Sequence, residues 1–232
     1  MMMGLLNFNT ILGGSGGSNP VVTFRTGAAS TGSGATQTLN VTLPGDGNQQ
    51  FCILALFGGV LQQAISSVTV APNVGSTVTL TRNVIDAQTR AAIYSGALLS
   101  DANSATSAVV TINYTANPFG NTQMAFYTAP LANLNSTTPT TTSQVGSTVT
   151  SISSTLATSA GGFIVTASFS GSNETTVATS GTETFTPGYN VPTVIPGDSS
   201  YANGISTNAA SNVSFTVSPT ATNIRMVAAA WR

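Results

Sequence analysis

Few side chains in this sequence are able to do chemistry. The 232 residues include six carboxylates, five arginines and one cysteine, with neither histidine nor lysine. The carboxylates are Asp46, Asp86, Asp101, Glu174, Glu183 and Asp198. Paired acids hydrolyse glycosidic bonds, one protonating the leaving group while the other acts as base or nucleophile. Glu174 and Glu183 flank a polar stretch and could face each other across a hairpin, but nothing around them marks them as catalytic. Asp46 and Asp198 fall in the repeated turns Pro44-Gly45-Asp46 and Pro196-Gly197-Asp198, where Asp bonds nearby backbone and tolerates turn angles. Turn duty therefore explains most of the acids. Cys52 lies in the apolar run Phe51 to Phe57. A reactive thiolate wants a base beside it, so Cys52 reads as a small buried hydrophobe. A hydrolytic serine would lack both a histidine base and the lysine alternative. Zinc would lack its usual nitrogen and paired sulfur ligands. Asp46-Gly47-Asn48 offers two oxygen ligands in three positions, short of a calcium loop. The inventory predicts no catalytic residue, no metal site, no cofactor and a non-enzymatic role.

The elements that hold these residues carry strand signals from Val21 onward. Leu39, Val41 and Leu43 alternate with Thr38, Asn40 and Thr42, before the turn residues Pro44 to Asn48. Phe51 to Phe57 is apolar on both faces, as in a strand buried on both sides. Ser66 to Val70, Thr77 to Thr81, Arg90 to Leu98, Ala108 to Tyr114 and Gln123 to Thr128 continue the pattern. Phe163 to Phe169, Val213 to Val217 and Met226 to Ala230 follow, so the chain ends in a paired central strand. Val84 to Ala92 is the one stretch that reads as a helical turn. Leu39–Phe57 and Leu156–Phe169 resemble each other, each running from a Thr/Ser-rich strand through a turn to an apolar run. Two-sheet symmetry of a sandwich explains that likeness better than duplication. Together these signals predict an all-β fold, an antiparallel β-sandwich of jelly-roll-like or Ig-like form.

Residues 1–20 read as an N-terminal arm and Gly/Ser linker, flexible by composition. Leu5, Leu6, Phe8, Ile11 and Leu12 give it apolar anchors. It is either an arm that docks on a neighbouring subunit or a frayed terminus. Residues 21–232 are predicted to form the β-sandwich domain. The Thr/Ser/Asn-rich stretch 132–155 is a long connection with an edge strand, or alternatively a linker that subdivides the chain. Gly181 to Tyr201, with Phe185, Tyr189, Tyr201 and several prolines, reads as a long loop. Its aromatics fold back as a satellite core over the sandwich edge, or they contact a ligand or another subunit.

Charged residues make up 5% of the chain, against roughly 25% in ordinary soluble domains. The net charge is −1, and a charge so near zero favours association between copies. Arg25, Arg82, Arg90, Arg225 and Arg232 are scattered, and nucleic-acid binding needs clustered cations. No stretch reaches the roughly 18 apolar residues of a membrane span. The first residues lack the basic start of a secretion signal.

Four segments, Ser66 to Val70, Ala91-Ala92-Ile93-Tyr94, Ala160 to Ala167 and Val227 to Trp231, give the chain a family likeness. Over roughly residues 21–232 the pattern resembles the small β-sandwich virion structural proteins of tailed bacteriophages and prophages. That resemblance implies a capsid decoration, capsid or tail-associated subunit whose partners are copies of itself and other virion proteins, with neither nucleic acid nor membrane. It implies manufacture in the host cytoplasm and a final place in the virion, and it supplies no catalytic residues. The alternative is a surface adhesin or carbohydrate-binding module, extracellular, that meets a host-surface glycan through Phe185, Tyr189 and Tyr201.

Overall fold

The computed structural model describes residues 18–30, 34–58, 65–87, 90–115, 121–146, 149–170, 183–190, 197–206, 210–221 and 224–232. The arm residues Leu5, Leu6, Phe8, Ile11 and Leu12 lie outside them, as does Glu174. The first nine strands are β1 (Thr23–Ser30), β2 (Thr36–Thr42), β3 (Gln50–Gly58), β4 (Ile65–Pro72), β5 (Val78–Thr79), β6 (Thr81–Ile85), β7 (Ala91–Ala97), β8 (Ser107–Tyr114) and β9 (Thr122–Pro130). The remainder are β10 (Thr140–Gly146), β11 (Val149–Ala157), β12 (Phe163–Phe169), β13 (Thr186–Asn190), β14 (Gly197–Asn203), β15 (Ala210–Ala221) and β16 (Ile224–Trp231).

Pairing is antiparallel throughout the described residues and nested. In the first half β1 pairs β9, β2 pairs β8, β3 pairs β7 and β4 pairs β5. This long hairpin is then wound on itself, because β9 also pairs β3 and β8 also pairs β4. Two sheets result, β2-β8-β4-β5 (sheet I) and β1-β9-β3-β7-β6 (sheet II). A wound hairpin of eight strands in two sheets is a jelly roll, with β6 as an added edge strand. The nested order selects the jelly roll over the Ig-like alternative.

The second half repeats the scheme. Strand β10 pairs β16, β11 pairs β15, and β12 pairs both β14 and β16. Sheet III, β10-β16-β12-β14-β13, has position for position the order of sheet II. Sheet IV is β11-β15. The two similar segments seen in the sequence occupy equivalent places, β2 to β3 and β11 to β12 each stepping from an outer sheet to an inner one, so their likeness follows the repeated roll and not, as expected, the two-sheet symmetry of a single sandwich.

Alternation along each inner strand assigns the layers. Cys52, Leu54 and Leu56 of β3 join Val68, Val70, Val110 and Ile112 in a core between sheets I and II. The intervening Phe51, Ile53, Ala55 and Phe57 join Phe163, Val165, Val227 and Trp231 between sheets II and III. Ile164, Ile224, Met226 and Ala228 pack with Ile152 and Leu156 between sheets III and IV. The stack is therefore I–II–III–IV, with the two rolls joined inner sheet to inner sheet. The doubly apolar run at Phe51 has this cause: β3 is buried on both faces, and every residue of it is buried.

Two local readings of secondary structure are also corrected. Val84 to Ala92 is no helical turn: β6 ends at Ile85 and β7 begins at Ala91. The buried Asp86 carboxylate accepts the backbone N–H of Arg90 at 2.6 Å and of Ala91 at 2.5 Å, which closes a tight strand-to-strand turn instead. Gly181 to Tyr201 is not one loop, since β13 and β14 lie within it and extend sheet III. By contrast, the Pro44 turn is as read, with Gly45 at φ 60° and Gly47 at φ 80°, angles that cost little only in glycine.

Candidate functional site

The described carboxylates are all held by the fold. Asp46 accepts the Asn48 N–H at 3.0 Å. Slight burial pushes its pKa up, but the Asn48 hydrogen bonds and Arg25 outweigh that and leave it lowered. Asp101 takes both the N–H and the hydroxyl of Ser76, at 3.0 and 2.6 Å, and these bonds lower its pKa. Glu183 is buried and accepts the N–H and hydroxyl of Ser206 at 3.1 and 2.9 Å. Asp198, expected in a turn, is instead buried inside strand β14, paired with Ser168, and accepts the Ser200 hydroxyl, so turn duty holds for Asp46 but not for Asp198. Among the described residues no three Asp, Glu or Cys side chains gather into a metal-binding group. No helix there is long and apolar enough to cross a membrane.

Cys52 is buried in the first core, and desolvation pushes its pKa up to about 12, with Arg25 opposing weakly. A thiol that stays protonated and shielded is inert. An aromatic disulfide reagent is therefore expected to leave the folded chain unmodified and to react with its single cysteine only after unfolding in urea. Rapid labelling of the folded chain would contradict this burial.

The three aromatics named as contact residues point largely inward. Phe185 is half-buried against the core between sheets III and IV. Tyr189 and Tyr201 pack on the core between sheets II and III. The Tyr201 ring meets Tyr127 edge-on at 5.7 Å. Tyr189 lies over Gly27 of β1, so closely that a Cβ there would stand 2.2 Å from the ring. Tyr127 is itself buried, and desolvation raises its pKa. Ser199 gives its proton to the Thr166 carbonyl at 2.7 Å, so the Tyr127 hydroxyl must be the donor in its 2.6 Å bond to Ser199. That relay ties sheet II to sheet III.

What the fold presents outward is clearest on sheet I. Strand β2 exposes Thr36, Thr38, Asn40 and Thr42 and buries the residues between them. Pairing sets Thr38 beside Thr111, Thr111 beside Thr69, and Thr69 beside Thr79. A rank of threonines thus crosses all four strands of the sheet. One step along, Thr36, Asn113 and Ser67 form a second rank, linked by side-chain hydrogen bonds of 3.1 and 3.0 Å. On the other side Asn40, Val109 and Ala71 form a third. These ranks contain no charged side chain, and Val109 is 39% exposed. Cross-strand hydroxyl and β-branched pairs of this kind stabilise a sheet, and they leave a regular, neutral surface of hydroxyl and amide groups. Hydrophobic alternation predicted which residues of β2 and β8 face out. It did not reveal the ranks, which depend on register.

No protein-family model matches the chain, and no curated protein matches it. Solved structures do. A chain of the crystal structure of Cucumber Necrosis Virus is similar at 12% identity, covering 79% of this chain and 71% of that one, with a TM-score of 0.27. A chain of the structure of Sulfolobus Turreted Icosahedral Virus is similar at 10% identity, with a TM-score of 0.30. That match covers 94% of this chain, which spans 61% of the other. Superpositions this loose carry no functional argument, and the jelly-roll assignment rests on strand pairing alone.

Proposed function

We propose that this chain is a non-enzymatic structural subunit of a virion, serving as a capsid decoration, capsid or tail-associated protein of a tailed bacteriophage or prophage. The observation that carries the reading is the uncharged, ranked outer face of sheet I. Charge normally keeps soluble proteins apart. A chain with so few charges and a regular face of hydroxyls and amides is suited to pack against copies of itself and against other virion proteins. The described carboxylates serve as turn and core staples, in keeping with a structural role. The sequence likeness to phage virion proteins points the same way. In this reading residues 1–12 form an arm that clasps a neighbouring subunit, with Leu5, Leu6, Phe8, Ile11 and Leu12 as its anchors.

The test places a charge in the middle of the face. Thr111→Lys alters a partly exposed side chain, so its stability cost should stay near 0.5 kcal/mol. It should nevertheless abolish incorporation into particles, because an unpaired charge would be trapped at the contact. Removal of residues 1–18 should also abolish incorporation while leaving the thermal midpoint unchanged. Normal incorporation of Thr111→Lys would refute the face, and normal incorporation of the truncated chain would refute the arm.

A further inference from the structure

We infer that the open edge of β2 is a pairing site for β2 of a second copy, antiparallel and in a register centred on Leu39. This contact rests on the assembly reading above and extends the face of sheet I.

Backbone hydrogen bonds fix which groups reach that edge. The Tyr114 N–H donates to the Ala35 carbonyl at 2.8 Å, and the Leu43 N–H donates to the Thr106 carbonyl at 2.8 Å. Between these two bonds Gln37 stands opposite Ile112, Leu39 opposite Val110 and Val41 opposite Ala108. In an antiparallel ladder, residues that bond the neighbouring strand alternate with residues that do not. The odd-numbered residues of β2 therefore bond β8. Thr36, Thr38, Asn40 and Thr42 turn their N–H and C=O groups the other way, and all four are exposed. Strand β2 ends its sheet, with β8 as its one paired neighbour among the described residues.

The other described sheet edges are guarded. Strand β5 has only two residues. Strand β1 carries a bulge at the charged Arg25, and β6 carries Arg82 and a bulge at Asn83. Strand β13 contains Pro187 and a register shift, and β15 contains Pro219. Strands β10 and β11 are tied to each other: the Thr140 hydroxyl donates to the Ala157 carbonyl, and the hydroxyls of Thr142 and Ser154 share a bond. Short strands, charges, prolines and bulges are the devices that keep sheet edges from pairing with other chains. Strand β2 has none of them. Its seven residues include no charge and no proline, and its register on β8 is unbroken.

The pattern of the strand selects a second copy as the occupant. About a two-fold axis at Leu39, Thr38 stands opposite Asn40 of the second copy, and Thr36 opposite Thr42. These are the residues whose backbone groups point outward, so each pair exchanges two hydrogen bonds, about eight in all. Polar side chains meet polar side chains across the axis, and no like charges oppose each other. The contact is isologous and closes on itself. The rank Thr79, Thr69, Thr111, Thr38 of one copy then runs on into Asn40, Val109 and Ala71 of the other, which joins the two sheets I into one continuous face. A single strand pair buries well below the roughly 1,000 Å² of a lasting interface. It therefore forms only where the faces also hold copies together, and disrupting the face separates the edges too.

Two experiments on the full chain test the edge. In sedimentation, Asn40→Pro should lower the mass of the assembly to about half or less, because a two-fold contact is lost. Proline at this position removes only an outward N–H, which an edge strand tolerates, so the thermal midpoint should hold. Asn40→Thr keeps the N–H and should sediment as the parent does. Independently, coexpressed Thr38→Cys and Asn40→Cys chains should become disulfide-linked dimers on mild oxidation, since opposed residues lie within disulfide reach. Neither chain alone should link, because the native Cys52 is buried. Coexpressed Thr36→Cys and Asn40→Cys chains should not link either. Suppose the parent assembles. Absence of the Thr38–Asn40 link, or a folded Asn40→Pro chain that keeps the parent mass, then overturns the edge contact and leaves the face reading standing. Equal linking of the Thr36→Cys combination overturns the register. A parent that stays monomeric and unlinked overturns the edge and the assembly reading together.

Discussion

Replacing Arg225 by methionine is expected to lower the stability of the chain by about 3–5 kcal/mol. Arg225 stands in β16 of the second roll and Asp86 between β6 and β7 of the first. Their side chains, 3% and 0% exposed, approach to 3.8 Å between Nε and Oδ1. Burial lowers the pKa of Arg225, and Asp86 opposes that shift. Arg225 also donates to the Ile224 carbonyl at 2.8 Å and to that of Gly146 at 3.3 Å. Methionine fills much of the space but takes the guanidinium away from the buried Asp86 carboxylate, and losing one partner of a buried pair is the costly outcome. Asp86→Asn in the same chain removes the buried negative charge and keeps an acceptor for the N–H groups of Arg90 and Ala91. The double variant should therefore recover most of the loss and remain about 1–2 kcal/mol below the parent. Urea unfolding of the four chains in the cycle measures this. A loss under about 1 kcal/mol for Arg225→Met, or a double variant no better than the single, would show that the pair does not secure the two rolls.

Trp231→Ala is expected to cost a similar amount, about 3–5 kcal/mol. Trp231 is the single tryptophan and is 3% exposed. Its ring stacks on Phe163 of the adjacent strand β12, with centroids 5.3 Å apart and planes 24° apart. Across the seam it meets Phe51 of β3 edge-on at 5.9 Å. The indole N–H donates to the Thr137 carbonyl at 3.3 Å, which fixes the connection between the rolls. Alanine would open a cavity among aromatics on both inner sheets and strand the Thr137 carbonyl. Trp231→Phe keeps the ring contacts and should lose about half as much. Because the indole sits at the seam, its fluorescence should change in the same urea range as the far-ultraviolet circular dichroism. An earlier fluorescence transition would mean that the rolls part before they unfold.

Strands β2 and β8 were legible in the sequence because alternation buries one face of each, and β3, β12 and β16 because they are largely apolar and buried on both faces. The antiparallel β-sandwich class followed from them, and the choice of the jelly roll over the Ig-like form needed the strand pairing. The doubling of the roll did not, because sheets II and III share an order of pairing and not a sequence. Strands β13 and β14 were missed for a chemical reason. Gly197, Asp198, Ser199 and Ser200 are all buried, yet none is apolar, and the strand is held by hydrogen bonds that a hydrophobic pattern does not report. Pro187 and Gly188 disguise β13, which carries a register shift between Pro187 and Tyr189. The threonine ranks and the Asn83 bulge are likewise properties of register. They become visible only once strands are paired.

The most direct test of the account is the mass of the full chain in solution, measured by sedimentation at low and high salt. Contacts built from uncharged hydroxyl and amide faces have little Coulombic energy to screen. The chain should therefore form a discrete multi-subunit assembly whose mass is the same at about 0.05 M and about 1 M sodium chloride. Thr111→Lys should sediment as a monomer under both conditions. A parent chain that remains monomeric throughout, or an assembly that dissolves as salt rises, would contradict the account.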